Sequence, residues 1–296
     1  MDDWLARVLS LRVWSRDGQR APHKPLLLLM VLARLQREEP AMVSFGELEA
    51  PLTNLLRDFG PARRSHHPEF PFHHLASDGL WKISTPDGGD ARPLGTSVAR
   101  LRQSGAAGRL DPAFEAALHD DGRFLAATAR VLLDGNFPST LHEDLLQRLG
   151  LELAPLEVAA PSRRRAAAFR DQVLVAYEYR CAMCGYDGWL DRDAVGLDAA
   201  HVRWWAVGGP DTIDNALFLC SLHHRLLDRG ALGIGPDRTV AVSQRFVGRA
   251  AAARSHVLDL SGQPLLTPQT PHPPIAQRHA EWHAREVFRA PARSAA

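Results

Sequence analysis

Cys181-Ala-Met-Cys184, then Asp198-Ala-Ala-His201, then Asn215-Ala-Leu-Phe-Leu-Cys220-Ser-Leu-His223-His224-Arg225-Leu226-Leu227-Asp228 decide the reading of the second half of this 296-residue chain. Cys181 with Cys184, and Cys220 with His223, are two pairs with two residues between their members. A tight knuckle needs that spacing to aim two donors at one tetrahedral ion, and three cysteines with a histidine are a structural zinc set. His201, Asn215, His224 and Asp228 remain as a second polar group without sulfur. Imidazole, amide and carboxylate suit a harder divalent cation and a water-activating base. His224 and Asp228 are four apart, so a helix would put both on one face within reach of one ion. The four zinc-type residues alone read equally well as an inert zinc ribbon. His201, Asn215 and His224 standing beside them favour chemistry.

These residues resemble the HNH endonucleases. That family's ββα-metal core has a strand ending in a histidine, a loop carrying an asparagine, and a helix carrying the last histidine. Here they are His201 in LDAAHV, Asn215 in TIDNALFLC and His224 in LHHRLLDRG, with Gly208-Gly209 in the loop. The resemblance runs from about Phe169 to Phe288, with WHAREVF (282–288) as the closing helix. It implies phosphodiester hydrolysis around one catalytic divalent ion, Mg²⁺ or Mn²⁺ or another divalent transition metal, beside the structural Zn²⁺. His201 would be the general base, since an imidazole titrates near the working pH. Asn215 or a backbone carbonyl would orient it, and His224 and Asp228 would ligate the ion. Many members carry a ligand immediately before the first histidine, where this chain has Ala200. Asp198, on the same strand face by parity, reads equally as the missing carboxylate and as a solvated strand residue.

Composition agrees with an ordinary two-domain protein: 45% hydrophobic and 23% charged residues, with a formal net charge of +1. That charge does not mark a nucleic-acid binder, so any DNA contact must rest on local basic patches. All three cysteines fall in the zinc set, which argues against a disulfide scaffold. MDDWLARVLS lacks the basic start of a signal peptide, and LLLLMVLARL (26–35) is too short for a membrane span. The expectation is a cytoplasmic protein without a membrane partner, and a homodimer is compatible with it.

Residues 1 to about 150 read as mostly helical. Apolar runs mark Trp4–Leu11 and Pro25–Leu35, and Phe45 to Phe59 is amphipathic through Leu48, Leu52, Leu55 and Leu56. Gly79 to Ser84 is strand-like, and three short helices follow over 110–122, 124–133 and 139–149. Ala and Pro dominate near 153–162, the expected linker. The fold class expected is thus α+β in two domains. A mostly helical N-terminal DNA-reading domain (1–152) precedes a C-terminal ββα-metal nuclease domain with a zinc knuckle (163–296).

Ala21-Pro22-His23-Lys24-Pro25-Leu-Leu-Leu-Leu, His67-Pro68-Glu69-Phe70-Pro71-Phe72 and Asp78-Gly79-Leu80-Trp81 resemble the sulfur-binding domains that recognise phosphorothioate DNA and occur fused to HNH nucleases. In that family an aromatic-proline pair and a residue one helical turn on make a nonpolar sulfur pocket. Phe70, Pro71 and His74 match those positions, with Phe70 in place of the usual Tyr and His74 in place of a small residue. Arg20, His23, Lys24, Arg63, Arg64 and His66 are the candidate phosphate contacts. The implied activity is modification-dependent cleavage of double-stranded phosphorothioate DNA. Two alternatives stay open: an HNH enzyme guided by a modified base or with little specificity, and a non-catalytic zinc-stabilised DNA-binding protein.

Overall fold

The computed structural model describes residues 2–11, 19, 21–153 and 160–294, with side chains of the helix starting at Ala160 described from residue 167. It divides into two compact units, Met1–Pro155 and Leu156–Ala296, each with its own hydrophobic core. Arg20 and residues 154–159 of the expected linker lie outside the described residues. Residues 160–162, expected in the linker, belong to a helix instead. Among the described residues no helix is long and apolar enough to cross a membrane.

The first unit runs α1 (Asp2–Leu9), α2 (His23–Gln36), β1 (Val43–Ser44), α3 (Phe45–Phe59), α4 (Glu69–His74), β2 (Trp81–Ser84), α5 (Val98–Gln103), β3 (Ala107–Leu110), α6 (Pro112–Asp120), α7 (Gly122–Asp134) and α8 (His142–Leu149). Pro25 sits in the first turn of α2, where a missing N–H costs nothing. Every residue from Pro25 to Ala33 is buried, so α2 is the central helix and needs no polar face. At the start of α3, Ser44 Oγ accepts from the Glu47 N–H at 3.2 Å while Glu47 accepts from the Ser44 N–H at 2.9 Å. Phe45, Leu48, Leu52, Leu55, Leu56 and Phe59 form its buried face, as their spacing predicts.

The strands β1, β3 and β2 form an antiparallel sheet in that order, with Ile83 opposite Gly108. Of the three, only β2 is legible in the sequence, because β1 is two residues long and β3, Ala107-Gly-Arg-Leu110, shows no apolar alternation. Trp81, only 1% exposed, crosses the sheet so closely that a Cβ on Gly108 would lie 2.1 Å from its ring. Gly108→Ala is therefore expected to destabilise this unit by about 1–3 kcal/mol through overpacking. A thermal melt of the full chain checks this, and an unshifted first transition would reject the tight packing of Trp81.

The second unit runs α9 (Ala160–Ala176), the knuckle at Cys181–Cys184, the hairpin β4 (Trp189–Leu190) and β5 (Asp193–Ala194), then β6 (Leu197–His201), β7 (Ala216–Cys220) and α10 (Ser221–Asp228). After these come β8 (Leu232–Ile234), β9 (Val240–Val242), α11 (Ala251–His256) and α12 (Gln277–Glu286). β6 and β7 are antiparallel, pairing His201 with Ala216 and Leu197 with Cys220, and α10 follows directly, completing the expected ββα unit. Ala216 to Leu219 are fully buried. The closing helix was expected over 282–288 but lies earlier, ending at Glu286.

Candidate active site and nucleic-acid pocket

β7 ends at Cys220 and α10 starts one residue later, so one strand-to-helix corner delivers Cys220, His223, His224 and Asp228. The knuckle comes alongside because the Ala182 N–H donates to the Phe218 carbonyl at 2.8 Å. The donor atoms of Cys181, Cys184, Cys220 and His223 all lie within 4.8 Å of one another. His223 Nδ1 is 3.4 Å from Cys181 Sγ and 3.3 Å from Cys220 Sγ. Tetrahedral zinc, with its usual bond lengths, separates sulfur and nitrogen ligands by about 3.6 Å. His223 Nε2–H donates to the His256 carbonyl at 2.8 Å, which aims the Nδ1 lone pair at the sulfurs. The group fits a metal ion. Its crowding also shows in the protonation of the cluster. Hydrogen bonds with Cys184 and Cys220 push the Cys181 thiol down, while those with Cys181 and Cys220 push Cys184 up.

The other polar group is divided differently from the sequence expectation. His224 Nε2 and Asp228 Oδ2 are 3.3 Å apart on one face of α10. Adjacent ligands on an octahedral ion with bonds of about 2.1 Å stand about 3 Å apart, so this pair fits two corners of such an ion. Burial opposes charge on His224, but Asp228, helped by the charge of Asp198, outweighs it and holds the imidazole above its ordinary pKa. Asp198 is not drawn into this pair. Its side chain is 58% exposed, 3.6 Å from Arg170 Nε, and one carboxylate oxygen accepts from the Ala199 N–H. Among the described residues, the Cys₃His set is the only cluster of three or more such donors close enough to share an ion. Of the two readings left open for Asp198, the structure shows the carboxylate in solvent and apart from the His224–Asp228 pair, with its charge adding to the upward pull on the His224 imidazole. The strand keeps Asp198 in solvent beside α9, where Arg170 meets it.

Asn215 or a backbone carbonyl was the expected orienter of His201, and the Asn215 side chain makes its hydrogen bonds elsewhere. Its Oδ1 accepts from the Arg203 N–H at 2.8 Å, and its Nδ2 donates to the carbonyls of Arg203 (3.0 Å) and Pro210 (2.9 Å). Those bonds use the amide's donors fully and pin the loop between β6 and β7, and Asn215 is wholly buried. Gly209 lets that loop close, since a Cβ there would lie 1.8 Å from the Arg203 carbonyl oxygen. His201 instead meets Asp211, with Nε2 2.8 Å from Oδ1. Its ring stacks on Phe169 at 4.4 Å and 18°. Burial holds His201 below its ordinary pKa, against the opposing pull of Asp211. The sequence reading missed Asp211. A loop carboxylate has no spacing signature, and its position just past the Gly-Gly turn was the one available signal.

In the first unit, α4 is anchored by Phe72, fully buried against Phe45 at 5.1 Å and Trp81 at 6.0 Å. Phe70 therefore faces outward and is 41% exposed. It lines a cavity of about 770 Å³ together with Pro71, His74, His23, Lys24 and Arg63. Six of the nine expected DNA contacts thus meet at one place. His66 lines a smaller adjoining cavity of about 90 Å³, and Arg64 is exposed on the same loop without lining either. Lys24 differs from expectation: its ammonium is 2.5 Å from the Asp78 carboxylate, which is 5% exposed, so its charge is largely spent on Asp78. Ala21, Ser65, His67 and Ser77 complete the lining, and none of them was among the expected contacts. His67 stacks on Phe70 at 4.6 Å and 12°. Glu69 holds its Nδ1 at 2.8 Å and Ser65 its Nε2 at 2.9 Å.

Residues 181–235 match the family model of HNH endonucleases. Among curated proteins none matches the chain. Solved structures similar to it include the sulfur-binding domain of SprMcrA complexed with phosphorothioated DNA, at 25% identity and a TM-score of 0.44, covering 51% of this chain and 93% of that one. The corresponding ScoMcrA complex is 20% identical with a TM-score of 0.42, covering 50% and 95%. The modification-dependent TagI restriction endonuclease is 26% identical with a TM-score of 0.29, covering 40% and 36%. The family model of the ScoMcrA-like DNA sulfur-binding domain matches residues 1–154. By that match over half its length the chain belongs to the ScoMcrA-like DNA sulfur-binding domain family, and with its HNH domain it is an HNH-type DNA endonuclease.

Proposed function

We propose that this enzyme is a modification-dependent endonuclease whose N-terminal domain, residues 1–152, reads phosphorothioate in double-stranded DNA and whose C-terminal domain, residues 163–296, cuts it. One observation carries the reading. A single cavity places the apolar Phe70–Pro71 pair beside Arg63 and His23, on a chain that also carries the HNH set. Sulfur is larger, more polarisable and less hydrated than the phosphate oxygen it replaces. Burying it against an aromatic ring gains what burying oxygen would lose, a difference of about 1–3 kcal/mol for one atom. The neighbouring cations hold the backbone whatever its modification.

In the nuclease domain, His201 is the proposed general base, its imidazole removing a proton from the attacking water. Cys181, Cys184, Cys220 and His223 would hold a structural Zn²⁺, and His224 and Asp228 would hold one Mg²⁺ or Mn²⁺. A divalent ion there supplies charge neutralisation at the scissile phosphate and leaving oxygen. Restriction of DNA bearing the mark is the proposed role, carried out in the cytoplasm.

The test is competition binding by the full chain carrying His201→Ala, so that cleavage does not interfere. Two duplexes of one sequence would differ by a single sulfur. The modified duplex is expected to bind about 5- to 150-fold more tightly, the fold-range of the energy above. Phe70→Ala should erase that preference, whereas Arg64→Ala should weaken both duplexes and flatten the salt dependence. One sulfur stereoisomer should be preferred, because a rigid cup on one side of the backbone meets one non-bridging atom. Equal affinity for both duplexes across several sequence contexts would sink sulfur reading.

A further inference from the structure

We infer that Asp211 is a positioning residue for hydrolysis, fixing His201 in the tautomer that leaves Nδ1 free to accept a proton, and that Asn215 acts through it. The inference rests on the proposed role of His201 as general base. The geometry points to it in three steps. First, a carboxylate accepts and does not donate, so the 2.8 Å contact between Asp211 Oδ1 and His201 Nε2 puts the imidazole proton on Nε2. Among the described residues Nδ1 has no hydrogen-bond partner, and its lone pair is therefore available to water. Second, the ring cannot swing away easily, because Phe169 stacks on it at 4.4 Å.

Third, Asp211 is itself held in place from both sides. Asn215 binds the Pro210 carbonyl immediately before it at 2.9 Å. On the other side, Asp214 is tied to α12, where it forms an ion pair with Arg278 and its carbonyl accepts from the Ala276 N–H at 2.9 Å. The asparagine of the set therefore governs the base at one remove, through the path of the loop. When water gives its proton to Nδ1, its oxygen attacks phosphorus and the bond to the leaving oxygen breaks with its electron pair. The imidazolium so formed has its Nε2–H already facing a carboxylate, which stabilises it without accepting the proton.

Asp211→Asn is the decisive variant because it keeps shape while removing charge. Its amide can turn an N–H toward Nε2 and so move the ring proton to Nδ1, where it blocks the base. A comparable swap beside a catalytic histidine costs about 10⁴-fold in kcat. The expected loss here is about 10²- to 10⁴-fold in single-turnover cleavage of a phosphorothioate duplex with Mn²⁺, with duplex affinity and thermal stability held near wild type. Asp211→Glu should recover part of the rate. Nitrogen-15 NMR of the full chain, with the His201 signal identified by its disappearance in His201→Ala, should show the proton on Nε2 in the wild type and on Nδ1 in Asp211→Asn.

The inference is overturned if Asp211→Asn cleaves within about twofold of wild type while His201→Ala is inactive. It is equally overturned if the wild-type ring carries its proton on Nδ1. Full activity in His201→Ala would instead remove the base itself, and with it the premise. A variant that loses rate only in proportion to loss of folded protein also counts against a positioning role.

Discussion

Full-length protein carrying Cys184→Ser is expected to lose its bound metal and, with it, the cooperative folding of residues 156–296. Cys184 is the informative choice because it is exposed, whereas Cys181 is fully buried. Truncating Cys181 would also disturb the core, but at Cys184 the lost contact is almost entirely the ligand. Structural zinc contributes about 10–16 kcal/mol of apparent binding free energy in small zinc domains. The whole net stability of a domain is about 5–15 kcal/mol. Removing one thiolate from a four-ligand site should therefore exceed what the small core beneath the knuckle can hold. That core is drawn from short elements, including the two five-residue strands β6 and β7. The first unit has its own core and should keep its transition, so the melt of the variant should show one transition where the wild type shows two. Elemental analysis should find about one zinc per wild-type chain and little in the variant. Folded wild-type protein free of zinc would overturn the structural assignment of the Cys₃His set.

The zinc set was legible because its logic is local: two pairs, each closed by a short turn, whose spacing alone aims the donors. The helices were legible where one face is apolar over several turns, as in α3 with Leu48, Leu52, Leu55 and Phe59. The sheet around β3 was not. Ala107-Gly-Arg-Leu110 has no alternation, and Gly108 reads as a breaker until Trp81 is seen lying across it. The same limit governs the site. His201, Asn215 and His224 could be picked out by type and order, but their roles depend on where the 202–215 loop runs. Asn215 was expected at the imidazole and is spent instead on the carbonyls of Arg203 and Pro210, while Asp211 takes the imidazole. Similarly, Phe70–Pro71 stood out as a pair. The His67 ring that backs Phe70 depends on Glu69 and Ser65 pinning both of its nitrogens. Side chains that act by contact across a loop leave no period and no spacing to read.

His201→Ala is expected to lower cleavage by at least about 10²-fold, the scale for removal of a general base, while metal content and DNA affinity stay near wild type. The reason for that separation is geometric. The His201 ring is 22% exposed and sits at the end of β6, away from the Cys₃His donors, so its loss does not remove a ligand. It is also in the other compact unit from the Phe70 cavity, so reading of the mark should persist. The substitution does remove the stacking on Phe169 and leaves the Asp211 carboxylate without its imidazole partner. A modest fall in stability, about 1–3 kcal/mol for the loss of one hydrogen bond to a charged group, should accompany the loss of rate. The rate must therefore be measured well below the melting range of the variant. His201→Gln makes the control, since its amide can still donate to Asp211 but cannot serve as a base near neutral pH. If His201→Gln recovers stability and remains inactive, the imidazole acts by proton transfer. If either variant cleaves at the wild-type rate, with contaminating nuclease excluded by a matched Cys184→Ser preparation, His201 does not act as the base and the water must be activated elsewhere. The nearest candidate would then be the His224–Asp228 pair on α10, whose separation of 3.3 Å already brings an imidazole and a carboxylate together.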